Sequence, residues 1–406
     1  MDQKSIKVYS YRWVVLLIYV FITASICMQW LTFAPIAREA KEFYGVTSLQ
    51  IDLLSLVFLA IFVLVAIPAS YIIDTFGIRK GIGFGAILLG IFGVLKGVYA
   101  KNYDMVLVCQ IGLSVAQPFI LNAVTRLSVQ WFPLQERATA VALGTLAQFL
   151  GIIFVMLSTP ILIAGGEKGE RIPYVMFIFG IISLTAAIVF LFFIKEKPPT
   201  SPSTHGEDKE LPFSEGLRYL WDKKDMRKIL FLFLIGLGVF NAVSTCIDQI
   251  CETKGLSIDE SGLVAGIMLI SGIVGGIFIP PVSDRLQKRK IFLIIAMGGF
   301  LLGLTFFVFF KDFNALLIAS FLIGFFLLGI GAPIGFQYCA EISSPAPEST
   351  SQGLLLLVGQ VSGIVFILGL NFFGMISFLY ILLLLSFLNF ILVFYLKESP
   401  FMKPIP

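Results

Sequence analysis

The chain has 406 residues, of which 58% are hydrophobic and 13% are charged, and its mean hydropathy is +0.96. A protein that dissolves in water needs a more polar surface than this composition can supply. The net charge of +4 is carried by basic residues that separate apolar blocks, so it indicates orientation in a membrane and no nucleic-acid footprint. The composition therefore excludes a soluble globular protein and a nucleic-acid-binding protein, and it predicts a polytopic protein of the lipid bilayer.

Twelve apolar blocks follow one another along the chain, each long enough as a helix to cross about 30 Å of hydrocarbon. The predicted spans are 12–36, 51–73, 81–99, 104–126, 138–163, 173–194, 228–250, 261–283, 291–310, 313–339, 350–371 and 374–396. An even number places both termini on one side. Of the 29 Lys and Arg residues, 21 lie at the termini and in the even-numbered connections. The positive-inside rule therefore predicts that both termini are cytoplasmic.

The connection between the sixth and seventh spans differs from the others. From Lys195 to Arg227 it combines Pro, Ser and charged residues without a spanning pattern. We therefore predict a six-helix bundle over 1–195, a cytoplasmic linker over 196–227 and a second six-helix bundle over 228–406. Within the linker, the spacing of apolar residues from Phe213 to Lys224 is compatible with a short amphipathic surface helix or with a solvated segment.

The two halves share a charged turn. Asp74 after the second span and Asp284 after the eighth span each precede an Arg by five residues, namely Arg79 and Arg289. Such an internal repeat is expected of two equivalent bundles related by an axis along the membrane normal. An Asp at a cytoplasmic junction can cap a helix or pair with a basic residue, so we predict that these four residues stabilise one gate state.

The first of these turns resembles the signature loop G-x-x-x-D-x-x-G-x-R-K of the major facilitator superfamily. Asp74, Gly77, Arg79 and Lys80 match it, and Ser70 replaces the first Gly. The alternative is a basic turn that merely satisfies the positive-inside rule. The resemblance implies an all-α integral membrane protein with the major facilitator fold, in which twelve transmembrane helices form two pseudo-symmetric six-helix bundles.

Further segments are similar to the feline leukaemia virus subgroup C receptor family of transporters. They are Ala24 to Ser55, Ser114 to Leu121, Val243 to Thr245, Glu341 to Pro345 and Gln352 to Leu355. The segments are dispersed over both halves, which makes the resemblance more specific than a single motif. Members of that family are linked to transport of choline and ethanolamine and to haem, so the resemblance implies a substrate of this kind.

Four amide side chains, Gln117, Gln148, Asn241 and Gln360, fall near the midplanes of their predicted spans. A polar side chain is costly in lipid and usually faces the bundle interior, where a transporter holds its substrate. Amides offer donors and acceptors without fixed charge, which suits hydroxyl or weakly polar substrate atoms. Alternatively, each amide bonds a neighbouring helix.

Trp30 and Gln29 lie together on the first span, and the face of a Trp ring attracts an organic cation. The alternative for Trp30 is an interfacial belt position. The resemblance implies that Trp30 forms half of an aromatic cage around an ammonium group. The family's second aromatic residue, a Tyr on the seventh span, is replaced here by Asn241. The resemblance also assigns polar site positions to Gln117, Gln148 and Gln360.

Ionisable groups near the midplanes are scarce in the sequence. His205, the single histidine, lies in the linker and cannot ligate haem within the membrane, so we expect no cofactor and no metal. Lys96 is expected to extend its amine to the outer interface. Because no Asp, Glu or His lies near a midplane, we predict uncoupled transport. The alternative is a proton-coupled symporter or antiporter for another small organic metabolite, including an organic anion.

Enzyme motifs such as HExxH or GxSxG are absent from the spans, and channel-like filter loops are also missing. The sequence therefore predicts a secondary transporter and not an enzyme. Its expected partners are the lipid bilayer and a small-molecule substrate. The expected substrate is an amine or amino alcohol of the choline and ethanolamine type. We expect a monomeric, multi-pass protein of the plasma membrane that works by alternating access.

Overall fold

The computed structural model describes residues 9–164, 170–200, 223–343 and 348–400, and the regular structure in these ranges is helical. The helices are α1 (Tyr11–Trp30), α2 (Ala37–Tyr44), α3 (Ser48–Phe76), α4 (Ile78–Val98), α5 (Tyr103–Leu121), α6 (Val124–Trp131), α7 (Leu134–Ile163), α8 (Ile172–Phe193), α9 (Lys224–Thr245), α10 (Ile247–Glu252), α11 (Ile258–Leu286), α12 (Lys290–Phe309), α13 (Phe313–Ile323), α14 (Ala332–Ser343), α15 (Glu348–Phe373) and α16 (Met375–Val393). A 3₁₀ turn, Ala34–Ile36, precedes α2, and a π-helical segment, Gly324–Gly331, joins α13 to α14.

Twelve spans in the described part of the chain are long and apolar enough to cross a membrane. The predicted number of spans is therefore confirmed. The first span is interrupted: it comprises α1, the 3₁₀ turn and α2. The tenth span, predicted as one helix over 313–339, widens into the π-helical segment between α13 and α14.

The chain divides into two compact units, Met1–Asp208 and Lys209–Pro406. In the first unit, α1 packs on α7 and α8, α3 packs on α5, and α4 packs on α5 and α8. In the second unit, α9 packs on α15 and α16, α11 packs on the π-helical segment, and α12 packs on α13 and α16. Counted as spans, each unit thus repeats the same order of helix pairing. Residues 201–222, which include His205 and most of the predicted linker, lie outside the described residues, so the linker over 196–227 stays a prediction.

The second and eighth spans begin with the same local device. The Thr47 hydroxyl accepts from the Gln50 backbone N–H (3.3 Å), and Gln50 Oε1 accepts from the Thr47 backbone N–H (2.9 Å). Ser257 and Glu260 make the same reciprocal bonds at the start of α11, at 3.3 and 2.7 Å. Both are capping boxes, in which residues three apart satisfy the free N–H groups of a first helical turn. Each fixes where its long apolar helix starts.

Candidate functional site

Trp30 is the last residue of α1, and its indole is tied to α3. Nε1 donates to the Ser55 carbonyl at 3.2 Å, and the Ser55 hydroxyl donates back to the Trp30 carbonyl at 3.3 Å. The side chain is 7% exposed, which is inconsistent with a lipid-facing belt position. The reciprocal bonds hold the ring in one place while they leave its π faces free of hydrogen bonding.

Gln29, beside Trp30, is fully buried and faces a different helix. Its Nε2 donates to the Phe179 carbonyl (3.1 Å) and to the Ser183 hydroxyl (2.9 Å), both on α8. The Gln29 Oε1 atom is buried and finds no hydrogen-bond partner among the described residues. The donors of this amide therefore join two helices, and its acceptor is left available.

The interruption of the first span gathers polar side chains around its carbonyls. The Gln29 carbonyl accepts from the Thr32 hydroxyl (3.1 Å), the Gln110 amide (3.5 Å) and Lys96 Nζ (3.5 Å). The last carbonyls of a helix lack partners within it, so side chains from elsewhere satisfy them. Lys96 is fully buried. The expectation that its amine extends to the outer interface is therefore wrong. The amine instead donates to oxygen atoms inside the unit, at the interruption of the first span.

The other two predicted amides of the first unit lie on helices that contact α1. Gln117 on α5 is buried, and Gln148 on α7 is half-buried. Helix α1, which carries Trp30, packs directly against both α5 and α7. The structure thus places the predicted site residues of this unit on one group of neighbouring helices. Gln110 and Lys96 lie on helices of the same group and are not among the predicted site residues.

In the second unit, Asn241 and Gln360 lie at one helix contact. Asn241 Nδ2 on α9 donates to the Gly359 carbonyl on α15 at 3.1 Å, and Asn241 is buried. The neighbouring Gln360 is half-buried, and its Oε1 has no hydrogen-bond partner among the described residues. The side-chain N–H group of Asn241 therefore bonds a neighbouring helix, which was the alternative to substrate binding for these amides. An acceptor beside it remains available.

The predicted gating residues differ in their surroundings. The side chains of Asp74 and Asp284 lie outside the described residues. Arg79 is exposed, and its backbone N–H donates to Glu196 Oε2 at 2.7 Å. Arg289 is buried and ion-paired with Glu341, with 2.9 Å between Nη2 and Oε1. Gating by any of these residues stays a prediction.

The ion pair of Arg289 and Glu341 is reinforced by further hydrogen bonds, both within the pair and to neutral side chains. Nε of Arg289 donates to the same Glu341 oxygen at 3.2 Å, and Nη1 donates to the Ser283 hydroxyl at 3.0 Å. The Gln337 amide donates to Glu341 Oε1 at 3.2 Å. Additional hydrogen bonds of this kind offset part of the cost of burying two charges. The cluster therefore ties the end of α11 and the start of α12 to α14.

Twelve apolar spans, two units with the same order of helix pairing, and amides buried within the spans together define a helical membrane transporter. The family model described as "Major Facilitator Superfamily" matches residues 17–367 and 249–406. The chain belongs to the major facilitator superfamily.

Two curated relatives match most of the chain. It is 28% identical over 387 residues to Solute carrier family 49 member A3 of Xenopus tropicalis, covering 90% of this chain and 79% of that protein. It is 30% identical over 376 residues to Choline/ethanolamine transporter FLVCR1 of Felis catus, covering 88% of this chain and 67% of that protein. Both resemblances predicted from the sequence are therefore confirmed. The chain is a transporter and not an enzyme.

Solved structures support the fold. The crystal structure of a D-xylose-proton symporter superposes with a TM-score of 0.73 at 15% sequence identity, over 98% of this chain and 100% of that one. At this identity the likeness shows the fold alone. It confirms the all-α major facilitator fold predicted from the sequence.

Proposed function

We propose that this transporter carries a small amine or amino alcohol of the choline and ethanolamine type across the plasma membrane, with both termini cytoplasmic, by alternating access. The observation that carries the proposal is Trp30, a buried indole held in place by Ser55. A Trp face that is already desolvated and fixed attracts an organic cation more strongly than an exposed one. The name of the Felis catus relative supports the same class of substrate.

The polar residues favour a substrate that donates hydrogen bonds. The acceptor oxygens of Gln29 and Gln360 are buried without partners among the described residues, which is costly unless a ligand satisfies them. A primary amine and a hydroxyl group both donate, whereas a trimethylammonium group cannot. We therefore propose that an amine or amino alcohol is preferred over choline, with Gln117, Gln148 and Gln360 at its polar end.

Asn241 is the second reason for this preference. Where the family resemblance implies a Tyr, this chain has an amide whose Nδ2 donates to the Gly359 carbonyl. A second aromatic face would contribute about 1 kcal/mol or more to binding a desolvated quaternary ammonium. Its replacement by an amide lowers the advantage of choline over a smaller amine.

A second candidate function is proton-coupled transport, and Lys96 favours it. Uncoupled transport was predicted because ionisable groups are scarce inside the spans. The structure buries one such group, Lys96, among uncharged partners in the first unit. This buried amine is the observation that favours coupling, while uncoupled transport stays the prediction from the absence of Asp, Glu and His near the midplanes.

Substrate choice is tested by uptake into proteoliposomes. We expect the wild-type protein to take up ethanolamine in preference to choline, and Asn241→Tyr to shift the preference toward choline by supplying a second ring. Asn241→Leu is the matched control, because it also removes the bond to the Gly359 carbonyl but adds no ring. Equal selectivity of the Tyr and Leu variants, or a wild-type preference for organic anions, would contradict this site assignment.

A further inference from the structure

Lys96 lies fully buried in the last turn of α4 and has only uncharged partners among the described residues. Its Nζ is 3.2 Å from Thr32 Oγ1, 3.5 Å from Gln110 Oε1 and 3.5 Å from the Gln29 carbonyl oxygen. The centroid of the Phe33 ring is 5.6 Å away. A buried charge without a counter-charge is costly, and inside a membrane span it indicates a functional group.

The surroundings of Lys96 suit both protonation states. An ammonium donates three hydrogen bonds, which matches the three oxygens, and its charge also faces the Phe33 ring. The contacts of 3.2–3.5 Å are longer than the roughly 2.7–2.9 Å of a tight ammonium–oxygen bond. A neutral amine donates two hydrogen bonds and accepts one, which the Thr32 hydroxyl can supply by giving up its bonds to the Met28 and Gln29 carbonyls. The Gln29 carbonyl keeps the Gln110 amide as a donor in that arrangement.

Helix α4, which carries Lys96, packs against α1, α3, α5 and α8, and these helices also carry titratable groups. Cys109 on α5 is close enough to interact electrostatically with Lys96. Cys27 on α1 and Asp52 on α3 are also buried, whereas Tyr174 on α8 is exposed. Among the described residues of the first unit, no carboxylate forms an ion pair with Lys96 Nζ. The titratable group that interacts electrostatically with Lys96 is the Cys109 thiol.

The Lys96 amine reaches from α4 to the end of α1, where Trp30 lies. The carbonyl that accepts from Nζ belongs to Gln29, the residue directly before Trp30. Two positive charges close together in a poorly polar environment repel each other strongly. We propose that the proton on Lys96 and an organic cation at Trp30 exclude one another, so that the transporter exchanges one proton for one cation. This inference rests on the proposed ammonium substrate.

The exchange balances in charge. When the cation binds, Nζ releases its proton to water and stays as a neutral amine until the cation has left. A proton then returns to Nζ and restores the ammonium, which is held by the Gln29 carbonyl, Thr32 and Gln110. Net transport in one direction is accompanied by proton movement in the other.

Binding and uptake of choline test the exchange, since the charge of choline does not change with pH. For the wild type we expect the choline affinity to increase by up to about tenfold per pH unit where Lys96 titrates, and inward cation flux to drive outward proton flux. Lys96→Met should bind and transport choline without pH dependence or proton flux. Lys96→Arg, which keeps a permanent charge, should bind choline weakly at every pH. Lys101→Met, which alters an exposed lysine, is the matched control and should behave like the wild type.

A substrate-free measurement separates the two proposals. The melting temperatures of the purified wild type and Lys96→Met are compared from pH 5 to pH 9 without ligand. If Lys96 exchanges a proton, the difference between the two curves changes with pH. A constant difference overturns the proton site, as does equal pH dependence of choline binding in both proteins or loss of all binding in Lys96→Met. Absence of any ammonium binding to the wild type overturns the proposed function, and the exchange with it.

Discussion

Glu196 and Glu398 occupy equivalent positions in the two units, and each caps the helix that begins the third span of its unit. Glu196, shortly after α8, accepts from the backbone N–H groups of Ile78 (3.0 Å) and Arg79 (2.7 Å). Glu398, shortly after α16, accepts from the backbone N–H groups of Arg289 (2.8 Å) and Lys290 (3.2 Å). Free N–H groups and the positive end of the helix dipole both favour a carboxylate there.

Replacing either glutamate should destabilise its own unit. We expect Glu196→Ala and Glu398→Ala each to lower the free energy of unfolding by about 1–2 kcal/mol, and the Gln variants to lower it less, because an amide oxygen still accepts. Thermal unfolding of the purified variants measures the effect, with the exposed Glu252→Ala as a control. An effect at one glutamate and none at the other would contradict their equivalence.

The buried pair of Arg289 and Glu341 should show strong coupling. Removing one partner leaves a buried charge unpaired, so Arg289→Met or Glu341→Met alone should cost about 3–5 kcal/mol of stability. The double variant Arg289→Met/Glu341→Met removes both charges and should be more stable than the sum of the single effects predicts. A double-mutant cycle of unfolding free energies tests this expectation, and simple additivity would show that the pair contributes nothing.

Lys254 provides a stability effect that depends on pH. It lies between α10 and α11, and its Nζ donates to the carbonyls of Val308 and Phe310 at 3.0 Å each. Burial lowers the pKa of Lys254, nearby Lys311 lowers it further, and Cys251 opposes the shift. Above this lowered pKa and below about 10.4, the unfolded chain binds more protons at this residue than the folded chain.

The contribution of Lys254 to the free energy of unfolding should increase as pH rises through that window, and Lys254→Met should lose this increase. Melting curves of both proteins between pH 7 and pH 10 provide the measurement, with Lys101→Met as the control. The expectation fails if the wild type and Lys254→Met keep a constant difference in stability over this range.

The spans and the family could be predicted from the sequence because they depend on long apolar blocks and on motifs such as the turn at Asp74. The surroundings of single polar side chains could not be predicted in this way. A lysine near the end of an apolar block is compatible with extension to the interface. Lys96 instead turns inward, toward the Gln29 carbonyl at the end of α1 and the side chains of Thr32 and Gln110. A Lys-Glu pair follows both the sixth and the twelfth spans, at Glu196 and Glu398, and this repeat in the sequence is a signal of the two helix caps.

The π-helical segment of the tenth span is a second feature that the sequence did not predict. Gly324 lies so close to the Met268 carbonyl and the Ser271 hydroxyl that a Cβ atom would overlap them. Hydropathy gives the same apolar pattern for an α-helix and for a π-helix, so the sequence predicted one regular helix. The π-helical segment packs closely against α11, and a tertiary contact of this kind leaves no mark on the hydropathy pattern.

Trp30 is the residue that we expect to bind the cationic group of the substrate. Trp30→Ala removes the π face and should weaken ethanolamine binding by about 1–2 kcal/mol, or roughly 5- to 30-fold, whereas Trp30→Phe keeps a smaller ring face and should lose less. Because Phe also loses the bond from Nε1 to the Ser55 carbonyl, melting temperatures are needed to separate binding from stability. Trp13→Ala, on the exposed side of the same helix, is the matched control. Calorimetric titration with ethanolamine measures the affinities. If Trp30→Ala binds as tightly as Trp30→Phe while both proteins melt like the wild type, the ring face does not hold the substrate.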